Sequence, residues 1–106
     1  MTASQFLNKE RPLLISKLES YIAGDCSHLS VQELIRRIFN NWESVTNKDS
    51  QYQENEEEFW CAVWSVQHLA TEDHWQDGVA QKDLTSILHT LKENNGLPEG
   101  WCGKRP

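Results

Sequence analysis

Residues 30–42 read SVQELIRRIFNNW, and this stretch decides the fold class. Its apolar side chains recur every three or four residues, which places them on one face of an α-helix. Ser30 and Glu33 have the spacing of a capping box, so the sequence predicts that this helix begins there. The apolar face consists of Val31, Leu34, Ile35, Ile38, Phe39 and Trp42.

Two helical segments are predicted before this stretch. Thr2 and Gln5 have the spacing of another capping box, which opens a short first helix. Pro12 disfavours helical geometry at the residue before it and suits the first turn of a new helix. We therefore expect a second helix from about residue 12 to residue 23, with Gly24 as its left-handed cap.

Two further helices are predicted after a polar loop over residues 47–53. The first begins near Asn55 and runs to about Thr71, and three glutamates in its first turn suit the helix dipole. Apolar side chains cover adjoining faces of this helix, so we expect it to lie at the centre of the fold. The second covers about residues 79–93 and ends before the Asn-Asn-Gly turn at residues 94–96.

These patterns predict an all-α fold, a compact single-domain bundle of about four to six helices. No segment shows the strict alternation of a β-strand. The domain spans residues 1–106, with an extended C-terminal tail from about residue 96, where glycine and proline are frequent. We expect a core that contains Leu34, Ile38, Phe39, Phe59, Val63, Leu84, Ile87 and Leu88.

The charge of the chain bears on its partners. It has 16 acidic and 10 basic side chains, for a formal net charge of −6. This argues against nucleic-acid binding, which needs a basic stripe, and against an anionic membrane surface. No stretch approaches the roughly 20 apolar residues of a membrane span. The charge suits a basic protein partner, and it also serves solubility.

The cysteines favour a cytoplasmic protein with reduced thiols. The chain has an odd number of cysteines, namely Cys26, Cys61 and Cys102, and no CxxC pair is present. The first twelve residues lack an apolar segment of signal-peptide length. We expect no cofactor and no bound metal.

Two sets of residues could carry chemistry. His68 and Glu72 are four residues apart on a helix and, with His74, could ligate a metal, although the two-histidine helical signature is missing. The preferred interpretation is a histidine that orders the helix end. Cys61 could pair with His68 or His89, but it lies in the most apolar helix, where a free cysteine usually behaves as a small hydrophobe. We therefore expect no enzymatic activity.

Two acidic groups bracket the tryptophan-rich helix, one at its start and one just after its end. Carboxylates beside aromatic side chains suit a surface that docks on lysines and arginines. The alternative for the first group is a solvated helix start that only follows the dipole rule. The predicted partner-binding residues are Glu56, Glu57, Glu58, Glu72, Asp73 and Asp77.

One half of the chain, about residues 57–106, resembles a known family. The FW-x3-W-x2-QHL pattern at residues 59–69, the acidic turn after it, the leucine-rich helix and the tail GLPEGWCGKRP resemble small bacterial immunity proteins of contact-dependent growth-inhibition systems. The resemblance implies a cytoplasmic antidote that binds a toxin domain delivered by a neighbouring cell. Many such toxins are nucleases, whose basic substrate surface would attract an acidic partner.

The leading hypothesis is therefore an immunity protein, expected to be monomeric, that binds and neutralises a basic toxin domain. The alternative is a helical adaptor or regulatory subunit of an unrelated complex. A small metal-dependent enzyme that uses His68, Glu72 and His74 is the third hypothesis.

Overall fold

The computed structural model describes most of the chain, namely residues 2–46, 51–53, 55–72, 75, 79–93, 101 and 103–106, with the backbone alone at residues 72 and 79. The chain folds as a compact all-α bundle, which confirms the predicted fold class. The described residues form four helices and no strand. The helices are α1 at Ala3–Ile22, α2 at His28–Glu43, α3 at Glu56–Glu72 and α4 at Val79–Glu93.

Helix α1 is continuous, so the prediction of two helices divided at Pro12 is wrong. The Thr2 side chain accepts a hydrogen bond from the Gln5 backbone N–H at 3.2 Å, and the Gln5 side-chain oxygen accepts one from the Thr2 backbone N–H at 3.0 Å, so the capping box is confirmed. Pro12 lies inside the helix with its ring exposed. The buried residues on both sides of it share one face, and packing of that face outweighs the lost backbone hydrogen bond. They include Phe6, Leu7, Leu14 and Leu18.

Helix α1 ends where the sequence predicts. Gly24 has a φ of +82°, the left-handed conformation that favours glycine. The Gly24 N–H donates to the Tyr21 carbonyl and the Asp25 N–H donates to the Ser20 carbonyl, at 3.0 and 2.8 Å. These two bonds form a Schellman motif and satisfy carbonyl groups at the end of the helix.

Helix α2 begins at His28, so the predicted start at Ser30 and Glu33 is wrong. The N-cap is Ser27, whose side chain accepts a hydrogen bond from the Ser30 N–H at 3.4 Å. The Ser30 hydroxyl instead accepts from the Lys17 ammonium at 3.0 Å, which ties α2 to α1. The earlier serine therefore takes the capping role one turn before the predicted position.

Helix α3 packs against α1, α2 and α4, as its broad apolar surface predicts, and α1 likewise contacts all three of the other helices. Helix α3 begins one residue after Asn55, which has a φ of +67°, and ends one residue after Thr71. The bounds of α4 match the predicted residues 79–93. None of the described helices is long and apolar enough to cross a membrane.

The core is rich in aromatic side chains. The rings of Phe6, Trp42, Phe59 and Trp60 pack with centroids of neighbouring rings between 4.9 and 5.9 Å apart. The Phe6–Trp60 pair is stacked and the others are tilted or edge-to-face, and such pairs add to the stabilisation that comes from burial. Of the predicted core, Phe39 and Leu88 are only half-buried and pack at its edge. The remaining members are buried, namely Leu34, Ile38, Phe59, Val63, Leu84 and Ile87.

Candidate functional site

The first predicted acidic group lies in the first turn of α3, but its members point in different directions. Glu56 is fully buried, Glu58 is nearly so, and Glu57 is exposed. Successive helix residues are rotated by about 100°, so three consecutive side chains cannot share one face. Of these three glutamates, Glu57 alone is exposed to solvent.

The second predicted acidic group lies largely outside the described residues. Asp73 and Asp77 are not described, and Glu72 is described only as the last backbone position of α3. Their role in partner binding stays a prediction. His74 lies outside the described residues as well. Within the described part of the chain, no group of three or more His, Cys, Asp or Glu side chains could hold a metal ion.

The buried Glu56 carboxylate is held by the C-terminal tail and by its own helix. The Arg105 Nε donates to Oε2 and the Arg105 Nη2 donates to Oε1, the latter at 2.9 Å. The Gln53 backbone N–H donates to Oε1 at 2.8 Å, and the Trp60 indole N–H donates to Oε2 at 2.9 Å. Each carboxylate oxygen thus accepts from two of these donors. The two-point contact with Arg105 is the strong, planar form of an arginine–carboxylate pair.

These contacts decide the charge state of Glu56. Burial by itself would raise the pKa of the Glu56 carboxyl. Hydrogen bonds from Arg105, Gln53 and Trp60, together with the positive charge of Arg105, outweigh burial and lower the pKa below its ordinary value of 4.5. Glu56 is therefore a carboxylate at neutral pH, neutralised inside the fold.

Two aromatic rings also contact the Arg105 guanidinium. The guanidinium carbon lies 5.4 Å from the centroid of the Trp42 ring and 4.6 Å from that of Tyr52, within the range of cation–π attraction. The Arg105 backbone N–H donates to the Tyr52 hydroxyl at 2.9 Å, and Nη2 donates to the Gln51 carbonyl at 3.3 Å. We call Trp42, Tyr52 and Glu56 the arginine cage.

Two further contacts lay the tail along α3. The Trp64 indole N–H donates to the Lys104 carbonyl at 2.6 Å. Gly103 is buried against the Glu57 backbone, where an added Cβ would come within 2.2 Å of the Glu57 carbonyl oxygen. Only a residue without a side chain fits this approach. The tail thus follows the first two turns of α3.

The sequence analysis did not identify Arg105 as the partner of Glu56. One signal was available, because Glu56 lies four residues before Trp60 and one turn before Phe59 on an apolar surface of the helix. A carboxylate buried at such a position favours a positively charged or hydrogen-bonding partner. The sequence did not indicate which basic side chain that is, since Arg105 is 49 residues away.

An open groove lies between α3 and α4. It has a volume of about 730 Å³, and its walls include Trp64 from α3, Ile87 from α4 and Trp101 from the tail. His68 and Asp83 supply polar groups, and both are exposed. Trp101 is 37% exposed, so one aromatic wall faces solvent. A groove with apolar and aromatic walls and a few polar groups is the usual form of a binding site.

The predicted thiol–histidine pairs fare differently in the structure. Cys61 and His68 both line the groove, although Cys61 is only 5% exposed. His89 is directed elsewhere, with its Nε2 atom 3.2 Å from the Glu93 carboxylate one turn later in α4. The structure therefore places Cys61 and His68 about two turns apart along one groove, and it directs the His89 imidazole to Glu93.

Comparison of the chain with protein-family models, with curated proteins and with solved structures found no match.

Proposed function

We propose that this chain is a binding protein that neutralises a basic toxin domain, in the manner of the immunity proteins that its sequence resembles. The observation that carries the proposal is the groove between α3 and α4, which combines the aromatic walls Trp64 and Trp101 with the exposed carboxylate of Asp83. Aromatic side chains in a pocket surrounded by charges are typical of the energetic centre of a protein interface.

Charge complementarity supports a basic partner. The net charge of −6 would accelerate the approach of a positively charged domain. Glu57 is exposed at the start of α3, the helix that also forms one wall of the groove. Glu56 and Glu58 are buried, so in this proposal the carboxylates that a partner meets on approach are those of Glu57, Asp83 and the predicted second acidic group.

A growth assay tests the proposal. An immunity gene lies directly downstream of its toxin gene, so the probe is the C-terminal domain of the protein encoded immediately upstream of this chain. We expect that inducing this domain in bacteria stops growth, and that co-expression of the chain restores it. Growth arrest that persists despite soluble chain would contradict the proposal. Stable complexes with an unrelated assembly would favour the adaptor alternative.

Matched variants locate the interface in the same assay. The double variant Glu57→Lys/Asp83→Lys reverses two exposed charges, one at the start of α3 and one at the groove. Glu33→Lys makes the same kind of change at an exposed position of α2 that does not line the groove. We expect the double variant to weaken protection and Glu33→Lys to preserve it. Equal protection by both would place the interface elsewhere.

A further inference from the structure

We infer that the arginine cage is a binding site for an arginine side chain of another protein, and that Arg105 is its resident, exchangeable occupant. This inference rests on the proposed function for the identity of the partner, a basic protein. It adds the side chain that is recognised and the place where it binds. The capacity of the cage to take an external guanidinium group can be measured without any partner.

The geometry selects arginine over lysine. The two Glu56 carboxylate oxygens accept from Nε and Nη2 of one guanidinium, which is the planar fork that lysine lacks. The Gln51 carbonyl accepts a further bond from Nη2. A lysine ammonium could satisfy one of the carboxylate oxygens well, but it could not place donors on both oxygens and the carbonyl in one plane.

Two of the three cage side chains, Glu56 and Trp42, are held by contacts that do not involve the tail. Glu56 is oriented by the Gln53 backbone N–H and the Trp60 indole. Trp42 is 4% exposed and packs against Phe6 and Trp60 in the aromatic core. A site whose groups are held in place before binding loses less entropy when a ligand enters. Glu56 and Trp42 should therefore keep their positions when Arg105 leaves the cage, while Tyr52 loses its contacts with the tail.

The cage also opens to solvent on one side. Tyr52, which contacts the guanidinium, is 38% exposed, and the Arg105 side chain is 15% exposed. An arginine from another chain can reach the cage from the Tyr52 side once Arg105 withdraws. Because Arg105 is tethered, it competes at a high effective concentration, so a partner needs additional contacts to displace it.

Trp64 connects the cage to the groove that could supply those contacts. Its indole N–H holds the Lys104 carbonyl of the tail, and its ring forms a wall of the groove. A partner that fills the groove and moves Trp64 would weaken the neighbouring tail contact. Groove binding and release of Arg105 are thus coupled through one side chain.

Chemical rescue of the full-length variant Arg105→Ala tests the inference. The probe is N-acetyl-arginine amide, the control ligand is N-acetyl-lysine amide at equal concentration, and the control protein is Arg105→Ala/Glu56→Gln. A ligand that binds the native state raises the melting temperature. We expect the arginine probe to raise the melting temperature of Arg105→Ala saturably in the millimolar range. The lysine amide should raise it far less, and neither should raise that of the double variant.

Three outcomes would overturn the inference: no rise, an equal rise with both ligands, or an equal rise in the double variant. If Arg105→Ala does not fold, the same titration is run on Arg105→Gln, which fills part of the space without placing a tethered positive charge in the cage. There, too, a saturable rise specific to the arginine amide supports the inference, and its absence overturns it. Because the titration contains no toxin domain, its failure leaves the result of the growth assay standing, and the reverse also holds.

Discussion

Arg105 and Glu56 lie 49 residues apart in the sequence and form a two-point ion pair in which the carboxylate is fully buried. The pair joins the C-terminal tail to the first turn of α3. Its electrostatic attraction is set against the cost of removing both groups from water, so its presence alone says little about net stability. Breaking it by removing one partner is different, because the other charge stays buried.

Removal of Arg105 should therefore destabilise the fold. We expect Arg105→Ala to lower the free energy of unfolding by about 3 kcal/mol, near the lower end for a broken buried pair because Arg105 is not fully buried. Lys104→Ala is the matched control, since the Lys104 side chain is exposed and its contact with Trp64 uses the backbone carbonyl. It should change stability by less than about 0.5 kcal/mol. Urea denaturation measures both, and equal small losses would contradict the buried-pair account.

The lowered pKa of Glu56 makes part of the stability depend on pH. Above the ordinary value of 4.5 the carboxyl is ionised in both the folded and unfolded states, so its full contribution is present. As pH falls below 4.5, the unfolded state takes up a proton first, and the contribution declines until pH passes the folded-state pKa. The stability difference between the native chain and Glu56→Gln should therefore shrink as pH falls below 4.5. A difference that stays constant down to pH 3 would show that the Glu56 pKa is not lowered.

The close approach of Gly103 to Glu57 predicts a local effect. We expect Gly103→Ala to displace the tail, because its Cβ would overlap backbone atoms. The free energy of unfolding should fall by about 1–3 kcal/mol, as it does for other overpacking changes. The displacement should shift the Trp64 indole N–H resonance, since that group donates to the neighbouring Lys104 carbonyl. Gly24→Ala is the control, with open space around its Cβ but a left-handed backbone. It should cost about 1–2 kcal/mol and leave the indole resonance in place.

The core assignment predicts unequal effects of two similar truncations. Ile38 is fully buried, whereas Leu88 is half-buried at the edge of the core. We expect Ile38→Ala to cost about 2–5 kcal/mol and Leu88→Ala distinctly less, because fewer contacts are lost at a site that water already reaches. Denaturant unfolding of the two variants compares them directly. A larger loss at Leu88 would mean that the exposed face of α4 is misassigned.

The sequence predicted the helices where local signals and tertiary packing agree. The start of α3 near Asn55, the bounds of α4 and the Gly24 cap all follow from patterning within a few residues. It failed at Pro12, because the buried face that keeps α1 continuous depends on packing against other helices. It also failed at Ser30, because the Ser30 hydroxyl accepts a hydrogen bond from Lys17 of another helix, a tertiary contact that the local sequence does not show.

The functional residues were predictable only in part. The acidic side chains at the start of α3 were identified from the sequence, but their directions follow from the rotation of the helix against its neighbours. The burial of Glu56 and its pairing with Arg105 therefore emerge only from the tertiary structure. The groove between α3 and α4 combines residues from two helices and the tail, so no local sequence pattern predicts it.

The central claim is that this acidic chain recognises a basic toxin domain through the α3–α4 groove and the carboxylates beside it. Stopped-flow association with the upstream-encoded domain, at low and physiological salt, tests that claim most directly. The native chain should associate rapidly and slow down as salt rises, because screening weakens charge attraction. Glu57→Lys/Asp83→Lys should associate more slowly and with a weaker salt dependence, while Glu33→Lys keeps most of the native rate. No complex with the native chain, or identical association of all three proteins, would contradict the account.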